Sequence, residues 1–404
     1  MPYRVLMIAP TSFFADYGCH VRILEEALAL RSLGHRITIC TYHNGDDVAG
    51  LDIRRSLDVP WRKGVQVGSS RHKLYFDAML SLQAVRTALA LRPHIIHAHL
   101  HEGALIGSVA ARLLGVPLLF DYQGSLSAEM LDHRFLQPNS LFLGPTRRIE
   151  QQLNRSADLV ITSSHHAARR LLQEERLPDG QVRAVPDAVN TERFHPRVLS
   201  RADRAALRAR LGIGPERQVV VYLGLLAPYQ GTDLLLEAAR QVVAALPNAF
   251  FLIMGYPGTD TYARQAARLG LAHHTSFPGR IPYTEAHRYL ALGDVAVAPK
   301  LSLTEGAGKI YNYIAMGLPV VAFDTPVARE ILGGDGYYAR PGDAAGLADQ
   351  LLRLLRNPAS ARGRTERLRR RAEADYSWRQ RGGELDAIYH MLIARRQAVL
   401  TTAE

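Results

Sequence analysis

The feature that most constrains this chain is an alternation of short apolar runs with amphipathic helical stretches, run through twice. Val5, Leu6, Met7, Ile8 and Ala9 are apolar at every position, as in a strand covered on both faces, and helical spacing follows over about 20–33. Gly34 closes that helix, and the run from Arg36 to Thr41 is the next strand. A strand, a helix and a strand joined in this way require a parallel pair and a right-handed crossover. Further strands are predicted at 94–99, 116–120 and 159–162, and the pattern restarts at Val219. With 404 residues, the expectation is an α/β chain of two Rossmann-like domains, 1–196 and 197–377, followed by a final helical segment, 378–404.

Composition narrows the partners. The net charge is +11, which favours anionic ligands: nucleotide phosphates, an anionic membrane surface or nucleic acid. Nucleic acid is the poorest fit, because the arginines are spread along the chain and the aromatics form no stacking platform. Two cysteines, Cys19 and Cys40, argue against a disulfide framework and for a reducing compartment. The chain opens on a strand rather than a leader-like segment, and no run reaches the roughly 20 apolar residues that span a bilayer. A cytoplasmic protein is expected, able to sit peripherally at the inner face of the membrane. Basic residues gather between Arg54 and Lys73 (Arg54, Arg55, Arg62, Lys63, Arg71, Lys73), with Trp61, Leu74, Tyr75 and Phe76 nearby. Such a mixture suits anionic headgroups, although a solvated basic loop is the simpler expectation.

In parallel α/β sheets, ligands bind beyond the carboxyl ends of the strands. One strand ends in a His-rich loop with His97, His99 and His101, and the next ends in Asp121, Tyr122, Gln123, Gly124 and Ser125. The three imidazoles alternate with small or apolar residues and are expected to point to different faces, which argues against a three-histidine metal site. In the second half, 303–330 reads as loop, helix, turn, buried strand and loop. Gly306, Ala307 and Gly308 admit a ligand to bare backbone, and Lys309 opens a helix whose N-terminus suits a phosphate.

In this order the chain resembles family 4 of the retaining, nucleotide-sugar-dependent glycosyltransferases, which have the GT-B fold. The resemblance covers nearly the whole length. It rests on Gly34-His35-Arg36-Ile37-Thr38, on His97-Ala98-His99, on the run from Val185 to Phe194, and on Ala315-Met316-Gly317-Leu318-Pro319-Val320-Val321. Each is weak alone; their order and spacing are specific. The resemblance implies two domains facing across a cleft, with the last helix crossing back onto the first.

Three departures stand out. The family's paired glutamates, eight residues apart, fall here on Thr304 (with Glu305 adjacent) and Asn312. Its Arg and Lys after the first strand of the donor domain fall on Leu225 and Gln230, and Gln123 stands where many members have His. Losing two cations beside a departing diphosphate removes transition-state stabilisation unless something replaces them. Lys309 is the first candidate, with Lys300 and Arg329 behind it.

The resemblance therefore implies transfer of a sugar from a nucleoside-diphosphate sugar to a hydroxyl of a sugar, lipid-linked or polysaccharide-precursor acceptor, with no metal and no cofactor. Glu305, Lys309, Gln123 and His99 would serve the reacting centre. Gly18, Gln230, Arg280, Ile281, Gly306, Ala307, Gly308 and Asn312 would hold the donor, with Arg280 stacking on the base. His20, Arg22 and Glu102 would meet the acceptor. A nucleotide-sugar 2-epimerase or a non-catalytic nucleotide-sugar-binding protein are the other readings the same fold allows.

Overall fold

The computed structural model describes residues 2–16, 18–58, 73–132 and 135–403. The first half runs β1 (Arg4–Ala9), α1 (Gly18–Ser32), β2 (Arg36–Thr41), β3 (Asp52–Arg55), α2 (Lys73–Leu91) and β4 (Ile95–His99). It continues with α3 (Leu100–Leu114), β5 (Leu118–Tyr122), α4 (Leu126–Asp132), α5 (Leu143–Ser156), β6 (Leu159–Thr162), α6 (His165–Gln173) and β7 (Val182–Ala184). These strands form one parallel sheet in the order β3-β2-β1-β4-β5-β6-β7. Both faces are covered, so β1 is buried from Val5 to Ala9.

After α7 (Arg201–Arg210) come β8 (Gln218–Leu223), α8 (Thr232–Ala245), β9 (Ala249–Met254), α9 (Thr259–Arg268), β10 (Thr275–Gly279), α10 (Ala286–Leu290) and β11 (Val295–Ala298). The domain closes with α11 (Gly308–Ala315), β12 (Val320–Phe323), α12 (Pro326–Leu332), β13 (Tyr337–Ala339), α13 (Ala344–Arg356) and α14 (Arg362–Asp375). Its sheet is also parallel, in the order β10-β9-β8-β11-β12-β13.

The last helix, α15 (Trp378–Ala403), returns to the first domain and packs on α1. Leu385, Ile388 and Tyr389 are fully buried in the same apolar cluster as Ile23, Ala27 and Leu30. Each burial of that size is worth about 1.5–3 kcal/mol. Gly382 sets the approach, since a Cβ there would lie 2.9 Å from the Ala29 Cβ. The chain crosses between domains twice, and the crossings meet where Val189 bridges to Ser377.

Some local expectations need correcting. No loop follows His99: α3 begins at Leu100, which turns the chain by adopting a positive φ of 60°. Asp121 and Tyr122 lie within β5 rather than beyond it. Asp52–Arg55, read as part of a loose basic segment, pairs with β2 as an edge strand, an arrangement set by tertiary pairing rather than by apolar periodicity.

Candidate functional site

A cleft opens between the carboxyl ends of the two sheets, at the edge each domain offers to ligands. Its second-domain wall is built around the start of α11. Lys300 folds the preceding loop by donating to the Gly306 carbonyl at 2.7 Å and pairing with Glu305 at 2.6 Å. That loop presses on the first domain: a Cβ at Gly306 would lie 2.8 Å from Asp187 Oδ2 and 3.0 Å from Ser163 Oγ. Glycine is therefore required there for space.

Lys309, in the first turn of α11, reaches back over the end of β8. Its Nζ donates to the Tyr222 hydroxyl and to Gln230 Oε1, both at 3.1 Å, and sits 4.2 Å from the centre of the Tyr222 ring. A Cβ on Gly224 would come within 2.7 Å of that nitrogen. The ammonium thus lies beside the segment of Leu225 and Gln230, where the resemblance led us to expect cations. Burial, helped by the positive charge of Lys300 and opposed by Glu305, pushes the Lys309 amine down to about 7. Gly18, Gln123, Gln230, Ile281, Ala307 and Asn312 also line the cleft.

The first-domain wall stands on a buried charge network. Arg22 Nε is 3.0 Å from both Asp121 oxygens, and its Nη1 donates to the Val185 carbonyl at 3.0 Å and to Asp187 Oδ1 at 2.8 Å. Its Nη2 is 3.1 Å from Glu26 Oε1. Burial alone would raise the Asp121 carboxyl, but Arg22 and His99 hold it well below the usual carboxylate range. Glu26, fully buried, is raised by desolvation despite Arg22. Gln123 donates to Asp121 Oδ2 at 2.7 Å and still faces the cleft.

Four sequence assignments change here. His99 is fully buried with Nδ1 2.9 Å from Asp121 Oδ2, so it orients Asp121 instead of lining the reacting face. His20 is fully buried and accepts the Ala15 amide at 2.8 Å. Glu102 pairs with Lys73 at 2.5 Å, and of the two it is Lys73 that faces the cleft. Arg22 lines the cleft, yet its guanidinium is engaged by three carboxylates.

The histidine expectation is also corrected. His97 and His99, two apart on β4, share a face, with ring centroids 4.4 Å apart, because side chains on a strand repeat every second residue. His101 is instead on α3, against Phe120 and Tyr122. Donor atoms of Glu26, His97, His99 and Asp121 lie within 4.8 Å of one another, a spacing a metal ion can use. The Arg22 guanidinium already pairs with both carboxylates of that group, and a further cation would meet its repulsion.

Arg280 is not free to stack on a base. It pairs with Asp16 and Asp46 of the first domain, both at 2.6 Å, and lies over the Tyr256 ring. Asp16 also accepts the Tyr283 amide at 2.7 Å, and the Tyr283 hydroxyl donates to Glu25 at 2.8 Å. On the other side of the hinge, Glu330 takes the amides of His165 and His166, both at 2.8 Å, at the start of α6. These contacts hold the domains together around the cleft.

The described residues of the basic segment are committed as well. Arg54 pairs with Asp52 and Arg55 with Asp47, and Lys73 is engaged as above. Trp61, Arg62, Lys63 and Arg71 lie outside the described residues. Among the described residues no helix is long and apolar enough to cross a membrane. Sequence reasoning missed Asp187 and Glu129 as cleft groups and Tyr222 as the buried partner of Lys309; Asp187 at least stood in the run from Val185 to Phe194, whereas Glu129 had no local signal.

Comparison with known proteins agrees with this architecture. Residues 217–357 match the family described as Glycosyl transferases group 1, and residues 17–188 match the one described as Glycosyl transferase 4-like domain. Over 257 residues the chain is 30% identical to a GDP-mannose-dependent alpha-(1-6)-phosphatidylinositol monomannoside mannosyltransferase of Mycolicibacterium smegmatis. That match covers 61% of this chain and 65% of the relative, just under two thirds of its length. A D-inositol 3-phosphate glycosyltransferase of Mycolicibacterium paratuberculosis is 29% identical over 401 residues, 93% of this chain and 86% of that one. Among solved structures, Anabaena Alr3699/HepE in complex with UDP-glucose superposes with a TM-score of 0.77 at 18% identity, over 96% of this chain and 100% of that one. At that identity the likeness speaks to the fold.

Proposed function

The chain belongs to the group 1, family 4-like glycosyl transferases of the GT-B fold, and on that premise we propose that it moves a sugar, with retention, from a nucleoside-diphosphate sugar to an acceptor hydroxyl. The observation that carries this reading is Lys309. Its ammonium is held by Gln230 and Tyr222 beside the first turn of α11, in a cleft between two parallel-sheet domains. A diphosphate seated on Gly306, Ala307 and Gly308 would meet the positive end of that helix and the Lys309 nitrogen together. Negative charge grows on the diphosphate as the glycosidic bond breaks, so an amine already in place there, and charged once the diphosphate is bound, acts where it counts most. Asn312 would hydrogen-bond the ribose, and Glu305 and Gln123 would hold sugar hydroxyls. The leaving phosphate itself would take the acceptor proton. No step is assigned to a metal ion or cofactor.

The reading extends to location: the cytoplasmic side, peripherally on an anionic membrane. Supporting it, Leu82 and Leu89 on α2 and Leu105, Val109 and Leu113 on the adjoining α3 are exposed, with Arg86 and Arg112 exposed among them. An apolar stripe with basic neighbours suits anionic headgroups. Vesicle co-sedimentation that ignores anionic lipid content would refute this part. The transferase reading is tested by a hydrolysis screen of nucleotide sugars with released nucleotide as readout. Failure to bind or turn over any of them would refute it.

A further inference from the structure

The first-domain wall of the cleft carries a second pattern of charge. It is formed by the ends of β1, β2, β4 and β5 with Lys73 and Phe76 of α2 and Glu129 of α4. Two cations from this domain reach it among the described residues, and both are spent. Lys73 is paired with Glu102 at 2.5 Å, and Arg22 with three carboxylates. Across the gap Lys300 is paired with Glu305, and Glu305 packs against Gly124 of this wall. The Glu129 amide donates to the Ser125 carbonyl at 2.9 Å, but its carboxyl has no hydrogen bond or ion pair among the described residues. Burial, with Glu305 and Glu102 adding to it and Lys73 opposing, raises its carboxyl to about 7. A second polar group lacks a partner: the Thr11 hydroxyl is buried, and Thr11 lines the same wall. Phe76 and Tyr42 pack at 5.4 Å and add an apolar surface suited to the C–H face of a ring.

We propose that this wall takes the acceptor as an uncharged polyol or saccharide whose hydroxyls hydrogen-bond Glu129 and Thr11, and that it disfavours an acceptor carrying phosphate on the ring. The inference rests on the transferase reading and names its second substrate class. The physical reason is pairing. A carboxyl or carboxylate accepts from hydroxyls without loss, whereas a phosphate beside it finds, among the described residues of this wall, no cation free to pair and is repelled. The proposal departs from the relative named for D-inositol 3-phosphate, whose acceptor carries that phosphate by name.

The experiment uses the full chain with a nucleoside diphosphate bound and ligand-observed NMR on matched pairs: myo-inositol against inositol 1-phosphate, and glucose against glucose 6-phosphate. The unphosphorylated member is expected to bind on the order of 10- to 100-fold more tightly. Glu129→Lys is expected to shift that ratio toward the phosphorylated member by about tenfold or more, and Glu129→Gln to shift it less. Tighter binding of the phosphorylated member, binding of neither, or a ratio unmoved by Glu129→Lys overturns the inference. If the wild-type chain binds no nucleoside diphosphate at all, the transferase reading falls, and this inference with it.

Discussion

Replacing Lys309 by Met removes the ammonium and keeps most of the packing, and two consequences of opposite sign follow. The first is on chemistry. Deleting one preorganised donor from a developing anion typically lowers kcat by about 10²–10³, or about 3–4 kcal/mol, and Lys309 stands where two further cations are absent. The second is on stability. In the folded chain the amine titrates near 7, against 10.5 when unperturbed. Between those values the unfolded chain holds a proton that the folded chain lacks, so stability rises with pH across this window and the penalty is complete below about 7. The full shift corresponds to at most about 5 kcal/mol, and since the amine faces an open cleft, about 2 kcal/mol is the gain expected for Lys309→Met at pH 7. The gain should fade as pH approaches 10.5. Binding adds a third signature. At pH 8 the free enzyme's Lys309 is mostly neutral and a bound diphosphate recharges it, so calorimetry in buffers of different ionisation enthalpy should register uptake of nearly one proton. That uptake should vanish in Lys309→Met. Near-normal turnover by the variant, or no proton uptake by the wild type, would refute this account of the site.

Three other substitutions probe the frame around it. Arg280→Ala breaks the pairs with Asp16 and Asp46. It should raise the donor KM about three- to tenfold and open the domains in small-angle scattering, equally for every nucleotide base; a base-dependent effect would instead indicate stacking. Arg22→Met strands Asp121, Glu26 and Asp187 without their cation. It should destabilise by about 3–5 kcal/mol, or roughly 10 °C in Tm. Because Asp121 is depressed in the folded chain, its contribution is present above pH about 4 and is lost as pH falls, so acid unfolding should shift to higher pH in the variant. Gly306→Ala pushes a methyl to within 2.8 Å of Asp187 Oδ2. The melting temperature should hardly move, while turnover drops about tenfold or more through displacement of the loop.

What the sequence determined by itself was the periodic part of the molecule. Fully apolar runs such as Val5–Ala9 can only be strands covered on both sides, and strand-helix-strand order then dictates parallel sheets and a cleft at their carboxyl ends. Local composition likewise marked Gly306, Ala307, Gly308 and Lys309 as a backbone-rich helix entry. Tertiary structure decided which charges are available. Arg22, Arg280, Lys73, His20 and His99 all read as ligand-facing groups in one dimension. All but His20, which takes the nearby Ala15 amide, are consumed by a partner distant in sequence: Asp121 and Asp187 for Arg22, Asp16 and Asp46 for Arg280, Glu102 for Lys73, Asp121 for His99. A side chain's charge can be read from its letter. Whether that charge is neutralised depends on groups brought within a few ångströms by folding, because Coulombic and hydrogen-bond pairing act over distance in space, not along the chain. Lys309 shows the converse. Its helix was legible, but only the packing of α11 against β8 shows its nitrogen beside Gln230, with no ion pair among the described residues and so open to a ligand's charge.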